Sequence, residues 1–202
     1  SHSAHIVTGL GSLNTTNTAG LIVESERPVY VSVRHKSGSQ GEVAASPGRK
    51  GLGTEFRALF ARNVLTTTNV NRGSFISVMA TEPGTTTITF DQFKPGVKFY
   101  GMADGNSDGT TDATSVTLSQ YQSYVIAVHD QSYTGTAPLA DMNGTRITSD
   151  KLVAVTSGYF LGGPSTTAQD IGVDQLVPTE LAGIAYALIK GNALATNIME
   201  SL

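Results

Sequence analysis

The chain has 202 residues, a formal net charge of −3 and only 14% charged residues, with no Cys and no Trp. That length closes one good hydrophobic core or two small fused lobes. The missing Cys excludes a disulfide framework, a thiolate metal site and a Cys nucleophile, and no apolar run approaches the roughly 20 residues of a membrane helix. Abundant Gly, Thr, Ser and Val with little charge is the composition of β-rich extracellular modules, because β-branched residues suit a pleated surface and Gly suits turns. With no signal peptide and no initial Met, the chain is expected to be an excised fragment.

In chain order, 1–19 is a lead-in. Leu21–Glu24 and Pro28–Val33 alternate as a strand pair around the polar turn Ser25-Glu26-Arg27. His35–Arg49 is a basic, Ser- and Gly-rich loop. Phe75–Ala80 and Thr85–Phe90 flank Glu82-Pro83-Gly84, whose Pro-Gly suits a type II turn and predicts a hairpin. Val97–Met102 follows, then a second predicted pair at Ser115–Leu118 and Ser123–His129. Arg146–Thr148 and Leu152–Ser157 come next, ahead of a loop from Gly158 to Asp174. Thr179–Ile189 admits a capped helix, but Gly183 inside it costs about 1 kcal/mol there, and the repeat below favours strand.

That repeat aligns Gly20–Val31 with Gly144–Val155: Ser25 falls on Ser149, Arg27 on Lys151, Val29 on Val153 and Val31 on Val155. Further on, Leu52–Leu59 aligns with Ala182–Ile189, so that Gly53 meets Gly183 and Phe56 meets Tyr186. The predicted fold is therefore all-β: two related β-sandwich or jelly-roll-like lobes from an internal duplication, with little helix. The units are 20–142 and 143–202, the second cut short, packed together because each alone leaves an apolar sheet face bare.

The residues that carry a family likeness are Ser25-Glu26-Arg27-Pro28-Val29, Gly51-Leu52-Gly53-Thr54-Glu55-Phe56, Ser149-Asp150-Lys151-Leu152-Val153 and Asp174-Gln175-Leu176-Val177-Pro178. In them the chain resembles the N-terminal domain of IgGFc-binding-protein-like proteins, over roughly 20–189. Leu152 stands where that family commonly has Pro, and Gln175 follows Asp174 directly. The resemblance implies a secreted or cell-surface adhesin module, of the bacterial (Bacteroidetes-type) kind found in large surface proteins, some exported by the gliding-linked secretion system. It does not imply that this chain binds antibody Fc.

Catalytic patterns are missing. No nucleophile elbow, dinucleotide loop, phosphate loop or His pair at metal-ligand spacing occurs, and the chain is read as a non-enzyme. The sharpest local motif is Asp104-Gly105-Asn106-Ser107-Asp108-Gly109-Thr110-Thr111-Asp112. Asp104, Asn106, Asp108, Thr110 and Asp112 sit at the spacing of calcium ligands, with Gly109 sixth. Ser115 replaces the bidentate Glu expected twelfth, so calcium needs a further ligand from elsewhere; the competing reading is a turn loop. Basic residues cluster between Arg27 and Arg72, yet without interleaved aromatics, so nucleic acid is not an expected partner.

Two loops could form a ligand surface: Arg34, His35, Lys36, Gln40 and Arg49 in one, Tyr159 and Phe160 in the other. The alternative is that both are ordinary exposed loops, with Tyr159 and Phe160 packed onto the neighbouring copy of the repeat. Three functions follow: an adhesin recognising glycan or a surface protein, a structural spacer joined to neighbouring domains of a longer chain, or a polysaccharide-binding accessory domain of a hydrolase.

Overall fold

The computed structural model describes residues 12–38, 40–60, 73–94, 97, 99, 113–128, 142–162, 170–185 and 187. These form strands β1 (Ser32–Ser37), β2 (Gln40–Ala45), β3 (Leu52–Arg57), β4 (Ser74–Ala80), β5 (Thr85–Asp91), β6 (Thr114–Ser119), β7 (Ser123–Ala127), β8 (Arg146–Gly162) and β9 (Asp170–Gln175). Short 3-10 turns lie at Gly48–Gly51 and Thr179–Leu181. The chain is all-β, with two sheets: a separate β1–β2 hairpin and a seven-stranded sheet that takes in β3 to β9.

Strand alternation decides which side chains are inside. In β4, Ile76, Val78 and Ala80 are buried while Phe75, Ser77 and Met79 lie half-exposed; in β5, Thr86, Ile88 and Phe90 are buried. Ile76, Val78, Ala80, Ile88 and Phe90 join Phe56, Leu118, Ile126, Ile147, Val153 and Val155 in one core cluster. Each large side chain wholly removed from water there contributes about 1.5–3 kcal/mol.

The seventeen residues of β8 are the spine of the large sheet. Along one edge β8 pairs first with β5 (Ile88 opposite Ser149, Asp91 opposite Arg146) and then with β4 (Ala80 opposite Val153, Ser74 opposite Tyr159). Along its other edge it pairs first with β3 and then with β9. The handover falls at Asp150–Leu152. There Asp150 Oδ1 accepts from Thr87 N–H (2.8 Å), Lys151 Nζ donates to Pro83 O (2.7 Å) and Thr81 Oγ1 donates to Leu152 O (2.7 Å). The sequence expectation of two strands separated by a turn at Ser149–Lys151 is corrected to this single strand: the polar residues mark a change of partners, not a chain reversal.

Two predicted pairs are corrected in the same way. β4 and β5 do not pair with each other, nor do β6 and β7; β4 takes β7, and β5 takes β6. The tight turns at Pro83–Gly84 and Gln120–Tyr121 make forks whose prongs enter different parts of the sheet. The fork tips join through Tyr121 N–H to Ala80 O (2.7 Å) and Gln120 N–H to Gly84 O (3.1 Å). Gly84 and Tyr121 take the positive φ that each tip requires.

The segment expected to start the first unit also differs. Residues 20–30 form no strand, and the strand begins at Ser32. The basic stretch expected as a loop supplies β1 and β2. Val97 and Phe99 are described, with Phe99 bridging to Val128; the rest of the predicted Val97–Met102 strand lies outside the described residues. Of Thr179–Ile189, Thr179–Leu181 is a 3-10 turn, and the other described residues form no strand.

The β1–β2 and β8–β9 hairpins share a register. Ser32 opposes Ala45, Val33 opposes Ala44 and Arg34 opposes Val43; Thr156 opposes Gln175, Ser157 opposes Asp174 and Gly158 opposes Val173. Pro47 caps the first 3-10 turn and Pro178 the second, and in both the closing N–H bonds back, Leu52 to Arg49 O and Ala182 to Thr179 O. Upstream, Ser25 Oγ donates to Arg27 O (2.7 Å) as Ser149 Oγ does to Lys151 O (2.8 Å).

Candidate functional site

The segment 20–30 is held at its two ends. At its start, Asn17 and Ser123 exchange backbone hydrogen bonds (Asn17 N–H to Ser123 O 3.0 Å, Ser123 N–H to Asn17 O 2.8 Å). At its end, Ser46 N–H bonds to Val31 O at 2.9 Å. Between these anchors the chain crosses the face of the large sheet that points away from the core. At Gly20 the backbone comes close to the Met79 side chain: a Cβ there would displace the flexible Met79 Cε.

A cleft of about 820 Å³ opens between this segment, the β1–β2 hairpin and the sheet. Ser77 and Met79 of β4 and Ala154 and Thr156 of β8 form its floor, as the outward residues of alternating strands. Ile22, Val23 and Val29 form an apolar wall, and Val33 and His35 of β1 face it. Arg27 and Arg49 also line the cleft, against one acid, Glu24, so its charged groups favour an anionic or acidic ligand.

The expected ligand residues are separated by this arrangement. His35 and Arg49 line the cleft. Arg34 and Lys36 occupy the alternate, exposed positions of β1 and do not line it. Gln40 opens β2, and nothing is described of its side chain. Tyr159 and Phe160 belong to β8 and pack against other rings: Tyr159 meets Phe60 edge-on at 4.9 Å, and Phe160 stacks on Phe75 at 4.9 Å. Burial first, then the Glu42 and Asp170 carboxylates, push the Tyr159 phenol above its ordinary pKa, so it stays neutral at physiological pH. The expected calcium loop, Asp104 to Asp112, lies outside the described residues.

Sequence reasoning missed the cleft because its wall, Leu21–Val23, reads as an ordinary strand. The available signal was the cation Arg27 beside Pro28, aligned with Lys151 and Leu152 of β8. Elsewhere, Arg146 grips Asp91 through Nε–Oδ1 (2.8 Å) and Nη2–Oδ2 (2.7 Å), which holds the Asp91 carboxyl below its ordinary pKa despite partial burial. That pair ties β5 to β8 and does not line this cleft. Among the described residues no three His, Cys, Asp or Glu side chains gather as a metal site, and no helix is long and apolar enough to cross a membrane.

Comparison with curated proteins gives no match, and comparison with solved structures gives none. A family model described as IgGFc binding protein matches residues 41–200, from the start of β2 through β9 and the second 3-10 turn. With that match spanning most of its length, the chain belongs to the IgGFc binding protein family.

Proposed function

We propose that this chain is a secreted or cell-surface binding module, not an enzyme, and that it holds an extended, acidic segment of a protein ligand in the cleft beneath residues 20–30. One observation carries this reading: the cleft joins an apolar wall (Ile22, Val23, Val29) to the cations Arg27 and Arg49. An extended segment would lay apolar side chains on that wall and its carboxylates on the arginines. Family membership supports binding as the general role. Protein is favoured over glycan because Tyr159 and Phe160, the aromatic platform a sugar would use, are packed against Phe60 and Phe75.

The test is selection from a displayed library of short peptides. The expected result is a set of acidic-apolar peptides whose affinity falls about tenfold or more in the Arg27→Glu, Arg49→Glu variant. Peptides that bind the variant equally well overturn the cleft. A glycan array on both proteins tests the other ligand class, and glycan binding that the variant abolishes would move the reading to sugars. The spacing of Asp104, Asn106, Asp108, Thr110 and Asp112 supports a calcium-stiffened loop in the same module. A melting temperature higher in excess calcium than in chelator is expected, and equal melting in both removes that element.

A further inference from the structure

The bend in β8 shows what its counterpart near the start of the chain is built to hold. Gly20–Val31 aligns with Gly144–Val155, and the local geometry agrees. Ser25 Oγ bonds to Arg27 O as Ser149 Oγ bonds to Lys151 O, and the β1–β2 and β8–β9 hairpins that follow share a register. In β8, the edge away from β3 and β9 is filled by β5 and then β4, which are joined through the bend Thr81–Gly84. Four side chains lock the two bends together. Asp150 Oδ1 accepts from Thr87 N–H, Lys151 Nζ donates to Pro83 O, Glu82 Oε2 accepts from Leu152 N–H (3.2 Å) and Thr81 Oγ1 donates to Leu152 O.

The first unit keeps its half of that lock without the other half. Glu26 stands at the place of Asp150 and Arg27 at the place of Lys151, with the same signs of charge. Both are exposed, and neither side chain makes an ion pair or hydrogen bond among the described residues. Leu21–Glu24 and Pro28–Tyr30 form no strand there, and Val23, Val29 and Tyr30 are exposed. The edge continues into β1, which pairs among the described residues with β2 only, whereas the matching Thr156–Tyr159 of β8 also pairs with β4. One contact cannot be repeated: Pro28 replaces Leu152 and has no N–H to offer an acid.

We infer that the edge running from Val23 into β1 takes one strand of a neighbouring β-domain, bent at a Pro-Gly as β4–β5 is. Glu26 accepts a backbone N–H just past that bend, and Arg27 donates to a carbonyl within it. The pairings of β8 set the register: the incoming residues at the places of Ala80, Ile88 and Phe90 come opposite Val29, Ser25 and Val23. The added strand satisfies the open backbone groups of the edge and covers Val23 and Val29. A second folded copy of this chain does not supply it, because its own bend is held by Asp150, Lys151 and Leu152. The contact needs Glu26 and no acid on the ligand. The ligand cleft needs an acid on the ligand and not Glu26, so the two readings fail separately.

The probe is a synthetic peptide with the sequence of Met79–Phe90, titrated into the isotope-labelled full chain and followed by backbone amide shifts. Shifts are expected in residues 23–30 and in β1. Glu26→Ala and Arg27→Ala are each expected to weaken the complex about three- to tenfold. Glu82→Gln in the peptide is expected to leave binding unchanged, and a peptide with Pro83 and Gly84 exchanged to bind several times more weakly. Both protein substitutions are at exposed positions, and circular dichroism checks that each variant keeps the fold. Absence of shifts in residues 23–30, equal binding by the Glu26→Ala protein or equal binding of the exchanged peptide overturns the inference. Binding that is lost with Glu82→Gln in the peptide but kept by Glu26→Ala places the peptide in the cleft and overturns the strand contact as well.

Discussion

Gly20–Val31 and Gly144–Val155 have matching residues and opposite surroundings. Val23 is 52% exposed where Ile147 is 0% exposed, and Val29 is 57% exposed where Val153 is 0% exposed. The stretch in β8 is flanked by β3, β5 and β4, while the other runs from the Asn17–Ser123 anchor to β1 with neither edge paired among the described residues. The contrast teaches that alternating β-branched residues make a strand possible, whereas the partners on its edges decide whether one forms.

Matched substitutions in the two stretches break that comparison most sharply. Ile147→Ala should cost about 2–5 kcal/mol in denaturant unfolding, and Val23→Ala less than about 0.5, because only the first leaves a cavity. Equal costs would mean that the first stretch is buried in solution. Gly158→Ala comes next. A Cβ there would run into the Gly172 carbonyl across the β8–β9 pair, for an expected loss of about 1–3 kcal/mol. The aligned residue on β1 is Arg34, which is exposed, and Arg34→Ala should be neutral.

Charge sharpens the comparison next. Arg146, aligned with apolar Ile22, lowers the Asp91 pKa mainly through its hydrogen bonds. A carboxylate whose folded pKa lies below its unfolded one adds stability above the unfolded value, and loses it as pH falls through the folded one. Arg146→Ala should therefore lower stability near neutral pH, a difference that shrinks below about pH 4. Urea titrations of both proteins from neutral pH to pH 3 measure it. The smallest effect belongs to the shared bend: Ser149→Ala should cost about 0.5–1 kcal/mol and Ser25→Ala, at an exposed site, almost nothing. In the core, Thr86→Val should raise stability by a similar amount, since Thr86 Oγ1 is buried without a hydrogen-bond partner.

Much of the fold is legible in the residues. The positions of β4, β5, β6 and β7 follow from alternation in Phe75–Ala80, Thr85–Phe90, Ser115–Leu118 and Ser123–Ala127, and the turn at Glu82-Pro83-Gly84 lies where Pro and Gly put it. What alternation cannot carry is partnership. A tight turn brings two strands near each other, but whether they pair or fork is settled by a third strand arriving from far along the chain. Here Asp150, Lys151 and Leu152 of β8 bind the fork tip. The site was legible only in part. His35 and Arg49 were singled out from basic character, but Arg34 and Lys36 fall on the other face of the same strand, a separation that depends on His35–Lys36 being strand and not loop. Tyr159 and Phe160 looked available because they follow Gly158 in a Gly-rich stretch, and their rings instead pair with Phe60 and Phe75, whose nearness no local pattern announces.

The placement of β8 also governs the order in which this chain can fold. The forked pairs β4–β7 and β5–β6 can assemble once Ala127 has been made, but β3 and the inner edges of β4 and β5 have no partner until Arg146–Gly162 exists. A nascent chain therefore carries open strand edges and an uncovered Ile76–Ile88–Phe56 surface until β8 has been made, and closes by the late insertion of one strand. Such long-range closure is slow and prone to association along the way. Changes that weaken β8 should show themselves in yield and refolding rate before they register in the stability of the finished protein.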